Sequence, residues 1–213
     1  MFDSFPGAHS ERLLRPEYHQ DFWAFFESGI HSLNKLERGQ HFKERGFASW
    51  EAFSVGDWPT ALSLVEERRE AYEEQSRKAK QLDIPHRRLR VVEFPVTPYV
   101  QWEMHVLRVR LEVGEDIRIM DAREISHLER THKVPEVVLL GDRVMYEVVY
   151  DEDGNADGAR KFTDPALIRE TSDGFAALYE QAEEFGQFFA REIEPLPAPE
   201  VDTRAATASH APR

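Results

Sequence analysis

Apolar side chains between residues 97 and 113 fall on two opposite sides of one predicted helix. Val100, Met104, Leu107 and Leu111 recur at i, i+4, i+7 and i+11, the spacing of one helical stripe. Trp102, Val106, Val109 and Val113 repeat it two residues later, roughly 200° around the axis. Polar rows separate the stripes: Gln101, His105, Arg108 and Glu112 on one side, Glu103 and Arg110 on the other. A surface helix has one apolar face and one wet face, so two dry faces predict a helix lying between two layers. Thr97 is its candidate N-cap, Pro98 suits its first turn, and Gly114 stops it.

The rest of the chain divides around this helix. Trp23, Phe26, Ile30 and Leu33 predict a helix over 18–37, ended by Gly39. The stretch 47–58 is rich in aromatics and anchors helices onto something flat, or onto a partner if exposed. A longer helix then opens at Asp57 or Trp58 and becomes a charged, solvated arm over 59–82, closed by Pro85. Strands follow at 89–94 and 117–120, flanking the two-faced helix as a βαβ unit with parallel strands. Strands at 137–140 and 144–150 meet at Gly141-Asp142 as a hairpin, and a short strand covers 159–162. Thr163 or Asp164 caps a helix that 171–174 interrupts. A last helix carries Phe175, Leu178, Ala182, Phe185 and Phe189 as a seam for the N-terminal helix. The tail from 194 is rich in proline and alanine and reads as disordered. The expected class is α+β: a mixed sheet of four or five strands, with a βαβ unit and hairpins, packed by N- and C-terminal helices. Its organisation is a helical N-terminal layer (1–86), a mixed domain with a C-terminal helix (87–193) and the tail (194–213).

Composition narrows the function. The 213 residues carry a net charge of -13, which argues against general nucleic-acid or anionic-membrane binding. His86-Arg87-Arg88-Leu89-Arg90 is the one basic run; it reads as a solvated strand edge, with DNA association through Arg87, Arg88 and Arg90 as a weaker alternative. There is no cysteine, which excludes disulfides and thiolate chemistry and fits a reducing compartment. No apolar run approaches the roughly 20 residues of a membrane span. A cytoplasmic protein without cofactor or metal is expected.

Several motifs invite chemistry and fall short. Asp153-Gly154-Asn155-Ala156-Asp157-Gly158, with Asp164 eleven residues after Asp153, matches a calcium-loop spacing. Its flanks read as strands, however, and Asp replaces the final Glu, so an ordinary hairpin loop is expected. His127 and His132 sit about 140° apart on a helix and cannot share a metal. His41-Phe42-Lys43 begins a phospholipase-D motif, but Ala48 occupies the place of its acid. Among the polar positions, Arg90, His105, Arg108 and Arg118 form a candidate anion site. Glu115-Asp116 beside Arg118 is either a local ion pair or part of a site at the sheet end. Trp50, Phe53, Trp58 and Trp102 are the candidate partner-binding residues.

Arg90-Val91-Val92, Pro95, Tyr99, Trp102-Glu103 and Gly114-Glu115-Asp116-Ile117-Arg118 resemble an actinobacterial domain-of-unknown-function family. Val138-Leu139-Leu140-Gly141-Asp142-Arg143 and Tyr150-Asp151-Glu152-Asp153-Gly154 continue the likeness, which spans roughly residues 88–165. More distantly, the arrangement is similar to half of a phospholipase-D-like domain stripped of its catalytic motif. Members of the family are often encoded beside helix-turn-helix regulators in Streptomyces-like bacteria. The resemblance therefore implies a regulatory or accessory role and carries over no catalytic residue. Together these readings favour a non-catalytic regulatory module that binds a protein partner, a second copy or a small signal. The alternative is a phosphoester-directed hydrolase or transferase built on the anion site.

Overall fold

The computed structural model describes residues 2, 4, 5, 7–152 and 154–201. The chain begins with β1 (Glu11–Leu13), α1 (Arg15–Glu27), β2 (Leu33–Glu37), α2 (Ala48–Ser54), α3 (Trp58–Glu67) and α4 (Arg69–Gln81). It continues with β3 (His86–Val92), α5 (Pro98–Glu112), β4 (Asp116–Asp121), β5 (Val137–Leu140), β6 (Val144–Tyr150) and β7 (Ala156–Phe162). Last come α6 (Pro165–Gln181), β8 (Glu183–Glu184) and α7 (Phe185–Phe188), which a π-helical turn, Phe189–Ile193, extends.

The strands form one mixed sheet in the order β1-β7-β6-β5-β2-β3-β4-β8. β2, β3 and β4 are parallel and the other pairs antiparallel. Both crossovers, β2 to β3 and β3 to β4, step in the same direction, so right-handedness places their helices on one face. Side-chain alternation divides the sheet accordingly. Leu36, Leu89, Val91, Met120, Leu139 and Phe162 face α6, packing with Ile168, Phe175 and Leu178. On the opposite face, Val92, Ile117 and Ile119 lie under α5, while Val138, Val144 and Tyr146 pack with Phe26 of α1.

α5 is the middle layer that its two stripes predict. Thr97 accepts a hydrogen bond from the Val100 amide, and Pro98 opens the first turn. Val100 and Met104 are 0% exposed; Trp102 is 2% and Val109 0%. Both stripes belong to a single core with the strands and with Trp50, Phe53, Ala61, Val65 and Phe189 outside them. The Trp102 indole donates to Ser49 at 2.9 Å, and Ser49 donates to the Ala61 carbonyl at 2.8 Å. That chain of bonds joins α2, α3 and α5.

The structure corrects several expectations. The helix over 18–37 stops at Glu27; Gly29 takes a φ of 86° and Leu33–Glu37 becomes a strand. The Ile30 and Leu33 spacing fits a helix, but pairing with β3 and β5 decides the conformation. The long helix from Trp58 divides at Arg68 into α3 and α4. β3 starts at His86 and is central, so the basic run is not a solvated edge. Residues 171–174 do not interrupt α6: Thr171 Oγ1 donates to the Leu167 carbonyl at 2.9 Å, and Gly174 is buried. The final seam is divided at Ala182, which leaves the helical conformation. Phe175 and Leu178 stay on the α6 face, whereas Phe185 and Phe189 cross to the α5 core. Three strands, β1, β2 and β8, enlarge the expected sheet to eight, and two of them lie within the supposed helical layer 1–86.

Two loops complete the picture. In the calcium-like stretch, the Asp151 carboxylate accepts from the Asn155 amide and side chain at 2.8 Å, and Asp153 lies outside the described residues. Gly158 adopts a φ of 115°, and a Cβ there would stand 2.1 Å from the Leu13 carbonyl oxygen. Only glycine lets β1 approach β7 so closely. The tail expected to be disordered from 194 instead returns over α5: Gln101 donates to the Pro197 carbonyl at 2.8 Å, and Val201 packs on the same core. Residues 202–213 lie outside the described part.

Burial on both sides sets a test. Met104→Ala should cost about 2–5 kcal/mol and Trp102→Ala about 3–5 kcal/mol, measured by urea denaturation. Glu112→Ala, at the exposed end of α5, should cost less than about 1 kcal/mol. A negligible loss for either large side chain would mean that its stripe faces water.

Candidate functional site

The sheet face beneath α5 is charged. In β2 and β3 the alternation that sends Leu36, Leu89 and Val91 toward α6 sends Lys35, Glu37, His86, Arg88 and Arg90 the other way. The register pairs Lys35 with Arg88 and Glu37 with Arg90. Burying such groups is costly unless each finds an opposite charge. Arg90, 0% exposed, donates through Nε to Glu103 of α5 at 2.7 Å and through a terminal nitrogen to the Val91 carbonyl at 2.8 Å. Arg88 donates to Glu115 at 2.5 Å and also to Glu37. Glu115 further faces His86 at 3.4 Å and Arg110 at 3.5 Å. The cluster runs unbroken from the α5–β4 turn to the carboxyl end of β2.

Protonation follows from this packing. Burial alone would raise Glu115, but Arg88, His86 and Arg110 hold it well below the ordinary carboxylate range. Glu103 is pushed up to about 7 by burial, against the pull of Arg90. Burial likewise lifts Glu136 to about 7. It lowers Lys35 to about 8 and His86 to about 3, with Arg88 and Arg110 adding to both shifts.

Each end of the cluster has its own character. The chain steps from β2 through β3 to β4 and then returns to the other side of β2 as β5, so the strand order diverges at β2, and it is at the carboxyl end of such a strand that open α/β sheets form a crevice. Here the crevice is cross-linked. Arg38 grips Glu129 through two nitrogens at 2.7 Å and Glu93 at 2.7 Å, and Glu136 accepts the Arg38 and Gly39 amides. Phe42 stacks on Tyr150 at 4.7 Å. At the amino end lies a cavity of about 270 Å³, between α4 and the α5–β4 turn. Tyr72, Ser76, Lys80, His86, Arg110 and Glu115 line it. Ser76 donates to the Val113 carbonyl at 2.6 Å, and Arg110 lies over the Tyr72 ring at 4.2 Å. A second cavity of about 210 Å³ sits beside β8, where Asp121 and Glu183 already hold Arg123 and Arg191.

The residues singled out by sequence do not gather in one place. Arg90 is under α5 with Glu103. His105 stands edge-on between the Trp58 ring at 5.3 Å and the Phe189 ring at 5.2 Å, and burial lowers it to about 4. Arg108 shares the Phe189 neighbour and reaches Glu66 at 3.2 Å. Arg118 is on the α6 face, at 3.1 Å from Glu184 and over the Tyr179 ring. Glu115 pairs with Arg88 rather than Arg118. Trp50, Phe53 and Trp102 are buried and Trp58 packs against them; Phe53 stacks on Trp102 at 5.6 Å. They bind α2 and α3 to α5 instead of forming an exposed patch. Arg88 and Arg90 are sealed inside, which removes them from any DNA-facing surface. Lys35, Glu37, Lys80 and Arg110 were passed over because their neighbours come from distant segments.

Fold and site together define an α+β domain whose middle helix rests on a buried ion cluster with a polar cavity at one end. The chain belongs to the family described as Domain of unknown function (DUF6879), whose model matches residues 20–190. That span takes in most of α1 and all of α2–α4 as well as the 88–165 stretch that carries the resemblance. No curated protein matches the chain. Among the described residues, no helix is long and apolar enough to cross a membrane.

The raised carboxylates predict a pH effect. Glu103 and Glu136 have folded values of about 7 against 4.5 for the free side chain. The folded chain therefore holds their protons more tightly, and this contribution to stability falls as pH rises through that window. Glu136→Gln keeps an oxygen for the two amides and removes one titration. Between about pH 5 and 7.5 its stability should fall less steeply than that of the parent chain in denaturant titrations. An identical slope would show that Glu136 titrates normally.

Proposed function

We propose that this chain is a regulatory binding module that receives a small molecule in the cavity between α4 and the α5–β4 turn. One observation carries the reading: Glu115 both lines the cavity and holds Arg88. A ligand that engages Arg110 or His86 changes the partners of Glu115, and Arg88 and Glu37 are next in line. Because α5 is packed on two sides, its displacement would be felt at α2 and α3. The charged groups under α5 neutralise one another, which suits a structural relay better than reagents in a reaction. Arg90, Arg118 and the neighbouring pair His105 and Arg108 lie in three separate surroundings, which gives no support to a phosphoester-directed enzyme.

The similarity to a family encoded beside helix-turn-helix regulators points the same way, and the phospholipase-D-like likeness adds no residue to it. The recipient of the signal would be a protein partner or a second copy of the chain. Strong acidity argues against nucleic acid as the direct ligand, and the cysteine-free composition suits a cytoplasmic setting.

The test is a thermal-denaturation screen of the full chain against small polar metabolites. A ligand at about 100 times its Kd should add about 2.7 kcal/mol of stability. Ser76→Phe, which projects a ring into the cavity, should abolish the shift while retaining the far-ultraviolet circular dichroism of the parent. No stabilising compound, or a shift undiminished in Ser76→Phe, would overturn the reading.

A further inference from the structure

The cavity also indicates what kind of molecule fits it, an inference that rests on the binding role just proposed. Its cations are unequally used. Arg88 is answered by Glu37 and Glu115. Among the described residues, the guanidinium of Arg110, with five N–H donors, makes a single hydrogen bond, at 3.5 Å to Glu115. Its face is stacked on Tyr72, which leaves the edge of the guanidinium for hydrogen bonds. Lys80 makes one long bond, 3.4 Å, to the Val113 carbonyl. His86 Nε2 is buried 3.4 Å from Glu115 and, among the described residues, makes no hydrogen bond of good geometry. Burial lowers Lys35 and His86, with Arg88 and Arg110 adding to both shifts and Glu115 opposing them.

Other features limit the anion. α4 and α5 both end beside the cavity, and helix C-termini disfavour negative charge. Glu115 stands in the wall and Asp83 is exposed at the mouth. A doubly charged phosphate meets more repulsion there than a single carboxylate. The planar fork of arginine matches a carboxylate through two hydrogen bonds. Tyr72, Ala79, Ile84 and Val113 supply an apolar wall. A volume of about 270 Å³ lies just below the range of drug-sized sites.

We infer that the cavity binds a small organic monocarboxylate, with Arg110 and Lys80 on the carboxylate and the apolar body against Tyr72, Ala79 and Val113. The experiment is calorimetric titration of the full chain with benzoate and hexanoate, their neutral amides, and phenyl phosphate. The acids should bind at least about tenfold more tightly than the amides, and more tightly than phenyl phosphate. Arg110→Lys keeps the charge and removes the fork; it should weaken the acids about tenfold and leave the amides unchanged. Equal binding of acids and amides would overturn the carboxylate assignment while leaving the cavity as a binding site. So would a preference for phenyl phosphate, or an Arg110→Lys variant that binds the acids normally. Failure of every probe, beside a metabolite that stabilises the parent but not Ser76→Phe, would overturn this inference alone. Failure of both experiments would remove the binding role as well.

Discussion

The contact between Arg90 and Glu103 constrains the whole molecule. A guanidinium in the middle of a central strand cannot be hydrated once α5 covers it, and a buried charge without a partner is strongly destabilising. α5 must therefore present a carboxylate at one position over β3, which fixes both its rotation and its height above the sheet. Arg88, two residues earlier, repeats the demand and is met from both sides by Glu37 and Glu115. The crossover helix, the turn after it and the neighbouring strand are thus set in register by charge, while the apolar stripes supply the driving force for burial.

Much of this design was legible in the chain. The two stripes of α5, its Thr97-Pro98 start and the hairpin between β5 and β6 are local signals, and the parallel βαβ unit followed from them. β2 was hidden because Leu33 and Leu36 fit a helical spacing. Their strand conformation comes from pairing with β3 and β5, which are remote in sequence. β8 is only two residues long and owes its existence to the exposed edge of β4. The run from His86 to Arg90 misled for a related reason. Its partners are Glu37, Glu103 and Glu115, contributed by three other segments, so the charges look solvated when read along the chain. Aromatic residues in 47–58 were legible as an anchor for the helical layer, and they are the adhesive between α2, α3 and α5; their alternative reading as a partner-binding patch has no exposed surface behind it at Trp50, Phe53 and Trp102.

The candidate site inherits this split between local and distant information. At the carboxyl end of β2, where this class of sheet commonly opens, Arg38, Glu93, Glu129 and Glu136 lock the loops together. The space is at the other end, where α4 leans against the α5–β4 turn. There, Arg110 and Lys80 carry donors that the protein itself leaves nearly unused, and Glu115 connects them to the buried cluster. Recognition and the support of α5 therefore share one carboxylate.

Arg90 and Glu103 act as a single buried unit, and a double-mutant cycle measures how far each depends on the other. Arg90→Met and Glu103→Leu should each lose about 3–5 kcal/mol of stability at a pH of about 8, because each strands the other's charge or leaves its site unpaired. Together they should lose far less than the sum, with a coupling above about 2 kcal/mol. Additive losses would mean that the two side chains do not depend on one another and that something else positions α5.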